Sequence, residues 1–178
     1  MTDFSKIYIL AEDERQQLFV LRYLYKAGFK AHAIDREPLP GGTGGAGENW
    51  VRRHYPAVLK KYRRRAAKAK TALIVVIDAD TEHLSFRSHQ LEDSLKQADA
   101  APRTKRESIL HLIPKRNIET WILHLTEEDV DETTDHRHRY VDDLIPIAAA
   151  KFHEWSAQVP SDCLPSLRVA IDETNRLT

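Results

Sequence analysis

The segment Ala72-Leu-Ile-Val-Val-Ile-Asp78-Ala-Asp80 constrains this chain more than any other. It is an unbroken apolar run, rich in β-branched residues, that ends in two carboxylates one residue apart. Such a run reads as a strand buried on both faces. Strand side chains repeat every second residue, so Asp78 and Asp80 are expected to share a face at its carboxyl end. Open parallel sheets bind ligands outside that end. Two hard oxygen ligands there suit Mg²⁺ or Mn²⁺. The plain alternative is a pair of solvated acids opening a loop. Acids at the ends of other strands weigh against it.

The first of those strands is Ile7-Tyr-Ile-Leu-Ala11, which delivers Glu12, Asp13 and Glu14 to its carboxyl end. Leu18, Leu21 and Tyr25, with Phe19 and Leu24 on an adjoining stripe, have helical spacing. Acids in the first turn of that helix also serve its dipole, so Glu14 and one neighbour have a capping explanation. Gly28 closes the helix. Phe29–Ile34 reads as a second strand. Ser108–Ile113 reads as another, and it is followed by Lys115, Arg116, Asn117 and Glu119. Asn117 is suited to cap a helix carrying Glu119, Trp121, Ile122 and Leu125 in its opening turns.

Between these acidic ends lies a basic stretch. Residues 48–70 read as a helix bearing Arg52, Arg53, Lys60, Lys61, Arg63, Arg64, Arg65, Lys68 and Lys70, with Trp50, Tyr55 and Tyr62 interleaved. Pro56 is expected to break it or to start a new first turn. No acid occurs between Val51 and Lys70, so pairs within that span cannot neutralise it. Nucleic-acid phosphates would, with salt-dependent affinity. Lys115 and Arg116 extend the same expectation. An acidic protein surface is the other outlet. Upstream, residues 38–47 hold five of the six glycines. Bare backbone N–H groups there can cradle phosphate. No Gly-Lys-Ser/Thr follows, so this is not a P-loop, and a plain connection is the competing reading.

At 178 residues the chain fits one domain, with a core over about 5–125 and a helical extension over about 126–178. Ile145, Ile147, Ala148, Phe152 and Trp155 mark one extension helix, and residues 163–177 mark another. Thr81–Ala101 reads as a helix with Leu84, Phe86, Leu91 and Leu95 inward. Net charge is zero, but basic 52–70 and acidic 127–135 are segregated. The single cysteine, Cys163, excludes a disulfide framework and a cysteine-rich zinc site. It is expected to be a structural residue in a reducing cytoplasm. No signal peptide or membrane span is expected. His136 and His138 lie in a charged loop with no third ligand in view.

The order of strands and helices implies an α/β sandwich with a mainly parallel four-stranded central sheet and extra C-terminal helices. Glu12, the pair Asp78/Asp80, and Glu119 would then converge on one edge. Clustered carboxylates repel, and bound metal would relieve that. A first-strand glutamate before a helix, and a later apolar strand ending in D-x-D, resembles the Toprim domain of topoisomerases, primases and OLD-type nucleases. The segment Ile113-Pro-Lys-Arg-Asn-Ile-Glu-Thr-Trp-Ile-Leu-His124 resembles small stand-alone Toprim-like proteins of the RloB-like group, associated with phage defence. The resemblance covers about residues 5–125. It implies a Toprim-like (Rossmann-like) fold, Mg²⁺ dependence and phosphodiester cleavage. Glu12 would match the acid/base glutamate, Asp78 and Asp80 the metal ligands, and Glu119 the later acid. DNA is favoured over RNA as substrate, and an ATPase or other defence subunit, or a second copy, as partner. The chain departs in having Asp13 where the family commonly has glycine, so Glu14 competes with Glu12 for the role. Two other readings remain: a non-catalytic Toprim-like module docked on a partner, and a receiver-like domain using Asp78 with Lys115.

Overall fold

A computed structural model describes residues 4–41 and 47–177. The central run forms strand β3 (Thr71–Val76), in which every residue is buried. It lies inside a four-stranded, all-parallel sheet with β1 (Lys6–Leu10), β2 (Ile34–Arg36) and β4 (Ile109–Leu112), in the order β2-β1-β3-β4. Parallel strands need long crossovers, which here are helices. These are α1 (Glu14–Lys26), α2 (Gly47–Ala66) and α3 (Leu84–Gln97), with α4 (Ile118–Leu125), α5 (Ile145–Trp155) and α6 (Pro165–Glu173) after β4. No helix among the described residues is long and apolar enough to cross a membrane.

Alternation along the strands divides the core in two. Ile7, Ile9, Ala72, Ile74, Val76, Leu110 and Leu112 face one side, where they pack with α1, α4, α5 and α6. Tyr8, Leu10, Leu73, Val75, Ile77 and Ile109 face the other, against α2 and α3. The C-terminal helices are thus part of the first layer. Phe152 of α5 meets Phe19 and Tyr23 edge-on at centroid distances of 5.5 and 5.0 Å. On α6, Glu173 reaches the outer edge of β4 and accepts a hydrogen bond from His111 N at 3.0 Å. Arg103, ion-paired with Glu173, donates to the Ile109 carbonyl on the same edge at 2.9 Å.

Helix ends follow local chemistry. Asp13 caps α1 by accepting from Gln16 N, and Asn117 caps α4 by accepting from Thr120 N. Gly28 ends α1 at φ 87°, a backbone region open to glycine at little cost. Cys163 is buried, and burial pushes its thiol up to about 11, as a structural cysteine requires.

Several expected details differ. α2 runs unbroken through Pro56. An interior proline costs about 3 kcal/mol. Val51, Tyr55, Val58 and Leu59 are all buried around it, and each such burial is worth about 1.5–3 kcal/mol, so packing wins. The inward stripe of α1 is Phe19, Val20, Tyr23 and Leu24, while Tyr25 is exposed. Residues 31–33 form a 3₁₀ turn, so the second strand begins only at Ile34. Phe86, expected inside, is 46% exposed, and Ile147 of the extension helix is 59% exposed. His136 is buried. Tyr55 and Tyr62 belong to the core.

Candidate functional site

Neighbouring parallel strands carry their carboxyl ends to the same rim. β1 and β3 pair in register with Leu10 opposite Val75. Two residues further on, the chain reaches Glu12 on one side and the Ile77-Asp78 step on the other. Beyond β3, Ile77 N still donates to Leu112 O at 3.2 Å and Ala79 N to Pro114 O at 2.8 Å. The extended course therefore lasts to Ala79. Asp80 then turns the chain, with φ 55°, a conformation that Asp tolerates better than most residues.

Glu12 and Asp78 meet directly: Asp78 N donates to Glu12 Oε1 at 2.6 Å. Gln16, fully buried on α1, ties both ends of this contact. Its Oε1 accepts from Glu12 N and its Nε2 donates to Asp78 Oδ1, each at 2.9 Å. Glu14 is exposed while Glu12 faces Asp78, which separates the two candidates for the first-strand role. Asp13 is spent on the helix cap.

The remaining acids lie around this pair. Glu119, on the first turn of α4, is buried and bonded to Arg15 Nη1 at 2.7 Å. Arg15 also bonds Asp142 at 2.8 Å. Asp80 lies 3.5 Å from Arg87 Nη2 and 3.4 Å from Arg137 Nη2. Arg137 is held in turn by Asp135 at 3.0 Å, and Asp135 by Asn117 Nδ2 at 2.9 Å. A cavity of about 600 Å³ opens here, lined by Asp13, Arg15, Asp78, Glu119, Arg137 and Asp142 among others.

Crowding and burial disfavour ionisation. Loss of hydration raises Glu12 to about 7, with Asp80 and Asp13 adding to it against the Asp78 N–H bond. Burial lifts Asp78 well above the usual carboxylate range, reinforced by the charges of Glu12, Asp13, Glu119 and Asp80. Burial also raises Glu119, and Arg15 opposes it.

The donor set suits a hard divalent cation: the ligands are anionic oxygens that repel one another until a cation or proton joins them. No group of three His, Cys, Asp or Glu is arranged as a cage among the described residues. The reason is visible in the contacts. Asp78 N–H, Gln16, Arg15, Arg87 and Arg137 already donate to these carboxylates or pair with them.

Gly47 opens α2 against the site. A Cβ there would fall 2.9 Å from Glu12 Cβ and 3.1 Å from Glu12 Oε2. Only glycine lets the helix start so close. Residues 42–46 of the glycine-rich segment, and with them most of the phosphate-cradle expectation, lie outside the described residues.

The basic residues are divided. Lys61 pairs with Glu37 at 2.6 Å, Arg63 with Glu107 at 2.7 Å, and Arg52 with Glu48 at 3.3 Å. Neutralisation thus comes from Glu37 and Glu107 outside the helix and from Glu48 in its first turn, ahead of Val51. Lys115 Nζ donates to the Glu82 carbonyl, which leaves the receiver-like Asp78–Lys115 pairing unformed. Arg116 pairs with Asp135 at 3.4 Å. Arg53, Lys60, Arg64, Arg65 and Lys68 are exposed. Sequence reasoning missed Arg15, Gln16, Arg87 and Arg137, and named Gly47 only as part of the glycine-rich segment. The missed residues become site residues only through tertiary contact, Gln16 with Asp78 and Arg15 with Glu119.

Comparison with known family models, with characterised proteins and with solved structures finds no match. The likeness to the Toprim domain therefore rests on the motif residues alone.

Proposed function

We propose that this chain is a metal-dependent, phosphodiester-cleaving nuclease acting on DNA. The observation that carries the reading is the meeting of Glu12 and Asp78 from separate strands, with Asp80 close enough to raise both further and Glu119 close enough to raise Asp78. Glu12, Asp78 and Asp80 would hold Mg²⁺ or Mn²⁺. Such an ion, when bound, polarises a phosphodiester and stabilises an oxygen leaving group. Glu12, titrating near neutrality, is suited to take or give a proton. Glu119 orients Arg15 over the cavity, where its guanidinium and that of Arg137 can receive a phosphate. The resemblance supports a role as effector of an anti-phage defence system, with an ATPase or another copy as partner. The one buried cysteine supports a cytoplasmic setting.

A second reading has its own support. Each rim carboxylate already has an internal donor or cationic partner, as in a Toprim-like module that docks on a partner and does no chemistry. Incubation of plasmid DNA and of RNA with Mg²⁺ or Mn²⁺ separates them, alongside calorimetric titration with Mn²⁺. Metal-dependent cutting abolished by Asp78→Asn and Asp80→Asn supports the nuclease. No cutting and no heat of Mn²⁺ binding would favour the docking module.

A further inference from the structure

Of the α2 cations that lack partners among the described residues, all but Arg65 fall on one line. Arg52, Lys61 and Arg63 are held by acids, and Lys70 sits 4.6 Å over the Phe4 ring. Arg53, Lys60 and Arg64 are exposed and have no side-chain partner among the described residues. With Ala57 they recur at intervals of four, three and four residues. At 3.6 residues per turn these positions fall on one line along the helix. A rise of 1.5 Å per residue sets Lys60 about 10 Å beyond Arg53, and Arg64 about 6 Å beyond Lys60. Ala57 keeps the line low between the first two cations. The paired residues lie on the flanks, so the acids that hold them do not cover it.

The line also has a direction. α2 begins with Gly47 packed on Glu12 and ends at the amino rim of the sheet, where Lys70 O accepts from Ser5 N. Arg64 is therefore about 26 Å of helix axis away from Glu12's neighbour Gly47. A duplex places one phosphate of each strand every 3.4 Å of axis, so this distance corresponds to about eight base pairs. Single-strand binders add aromatic platforms for the bases. On α2 the aromatic surface is confined to the top, where Trp50 stacks on His54 at 4.0 Å. Below it, Tyr55 and Tyr62 are in the core.

We propose that duplex DNA lies along α2, with the phosphates of one strand on Arg53, Lys60 and Arg64. We further infer that substrate must extend about eight base pairs to one side of the bond held at the rim. The second clause rests on the nuclease reading; the first does not.

The test is fluorescence anisotropy with labelled duplexes of increasing length, in EDTA so that cutting does not enter. Arg53→Gln/Lys60→Gln/Arg64→Gln is compared with wild type and with Lys61→Gln, after circular dichroism establishes that all are folded. The triple variant is expected to lose at least about tenfold in affinity, and the slope of log affinity against log salt to shrink by about 2.7, for three phosphates no longer neutralised. Arg53→Lys/Lys60→Arg/Arg64→Lys should keep the wild-type slope. Unchanged binding by the triple variant, or tighter binding of single strands than of duplex by wild type, overturns the proposal. Track-dependent binding without metal-dependent cutting sinks the nuclease reading and leaves the track. Metal-dependent cutting that the triple variant performs as well as wild type sinks the track and leaves the nuclease.

Discussion

The rim of the sheet and the outer face of α2 both gather like charges, and the protein treats them in opposite ways. At the rim, Glu12, Asp78 and Glu119 are withdrawn from water and matched to internal donors. Along α2, Arg53, Lys60 and Arg64 stay in water without partners. Burial, more than the number of charges, decides which cluster stores electrostatic energy. The rim holds a strained set of acids that protonation relieves. The helix holds a hydrated set whose cost is small and whose field points outward into solvent.

The largest expected effect tests the strain at the rim directly. Glu12 takes up a proton more readily folded than unfolded, because its folded value, about 7, lies above the ordinary 4.5. The folded state then binds more protons than the unfolded one between these values. Stability should therefore fall as pH rises from about 4.5 to 7 in EDTA, by roughly 3 kcal/mol from this group. Glu12→Gln, which can still accept from Asp78 N, should flatten that slope and melt higher than wild type at pH about 8. A wild-type melting temperature indifferent to pH in this window would mean that the rim is not strained. Mn²⁺ added at the same pH should raise the wild-type melting temperature and leave Glu12→Gln less affected.

Next comes removal of a rim partner. Arg15→Ala leaves Glu119 buried beside other acids and should cost about 2 kcal/mol in chemical denaturation. Arg15→Ala/Glu119→Gln should recover most of it. A double variant as weak as the single one would show that Arg15 acts by packing. Smaller still is Gly47→Ala, whose added methyl must displace Glu12. It should cost about 1 kcal/mol and disturb the rim more than its stability effect suggests, readable as a shifted pH dependence of the melting temperature. The smallest belongs to the helix: Arg64→Gln should change stability by less than about 0.5 kcal/mol. A larger loss would mean that this face is a structural surface after all.

Much of the frame is visible in the residues themselves. The run 72–77 has the pattern of a doubly covered strand, and Asn117 the pattern of a cap, because each depends on neighbours close in sequence. The meeting of Glu12 with Asp78 follows once their strands are adjacent. Gln16 is different: it bridges 62 residues to Asp78, and Arg15 bridges 104 to Glu119. Nothing local marks either as more than a helix surface residue. Tyr55 and Tyr62, seven residues apart among cations, look like stacking groups in a linear reading. At helical period they share the core face, and their arginine and lysine neighbours do not. Phe86 fails for the converse reason: it has apolar character but sits about half a turn from the buried stripe of its helix.

The seal that α6 places on the outer strand reaches further than packing. The Ile109 carbonyl and the His111 N–H are the pair of groups through which an incoming parallel strand would add to the sheet, and Arg103 and Glu173 occupy both. Growth of the sheet from β4, by a swapped segment or a neighbouring molecule, would first have to evict an ion pair. Among the described residues the other border of the sheet is the short strand β2, and any sheet-to-sheet joining of copies would have to begin there rather than at β4.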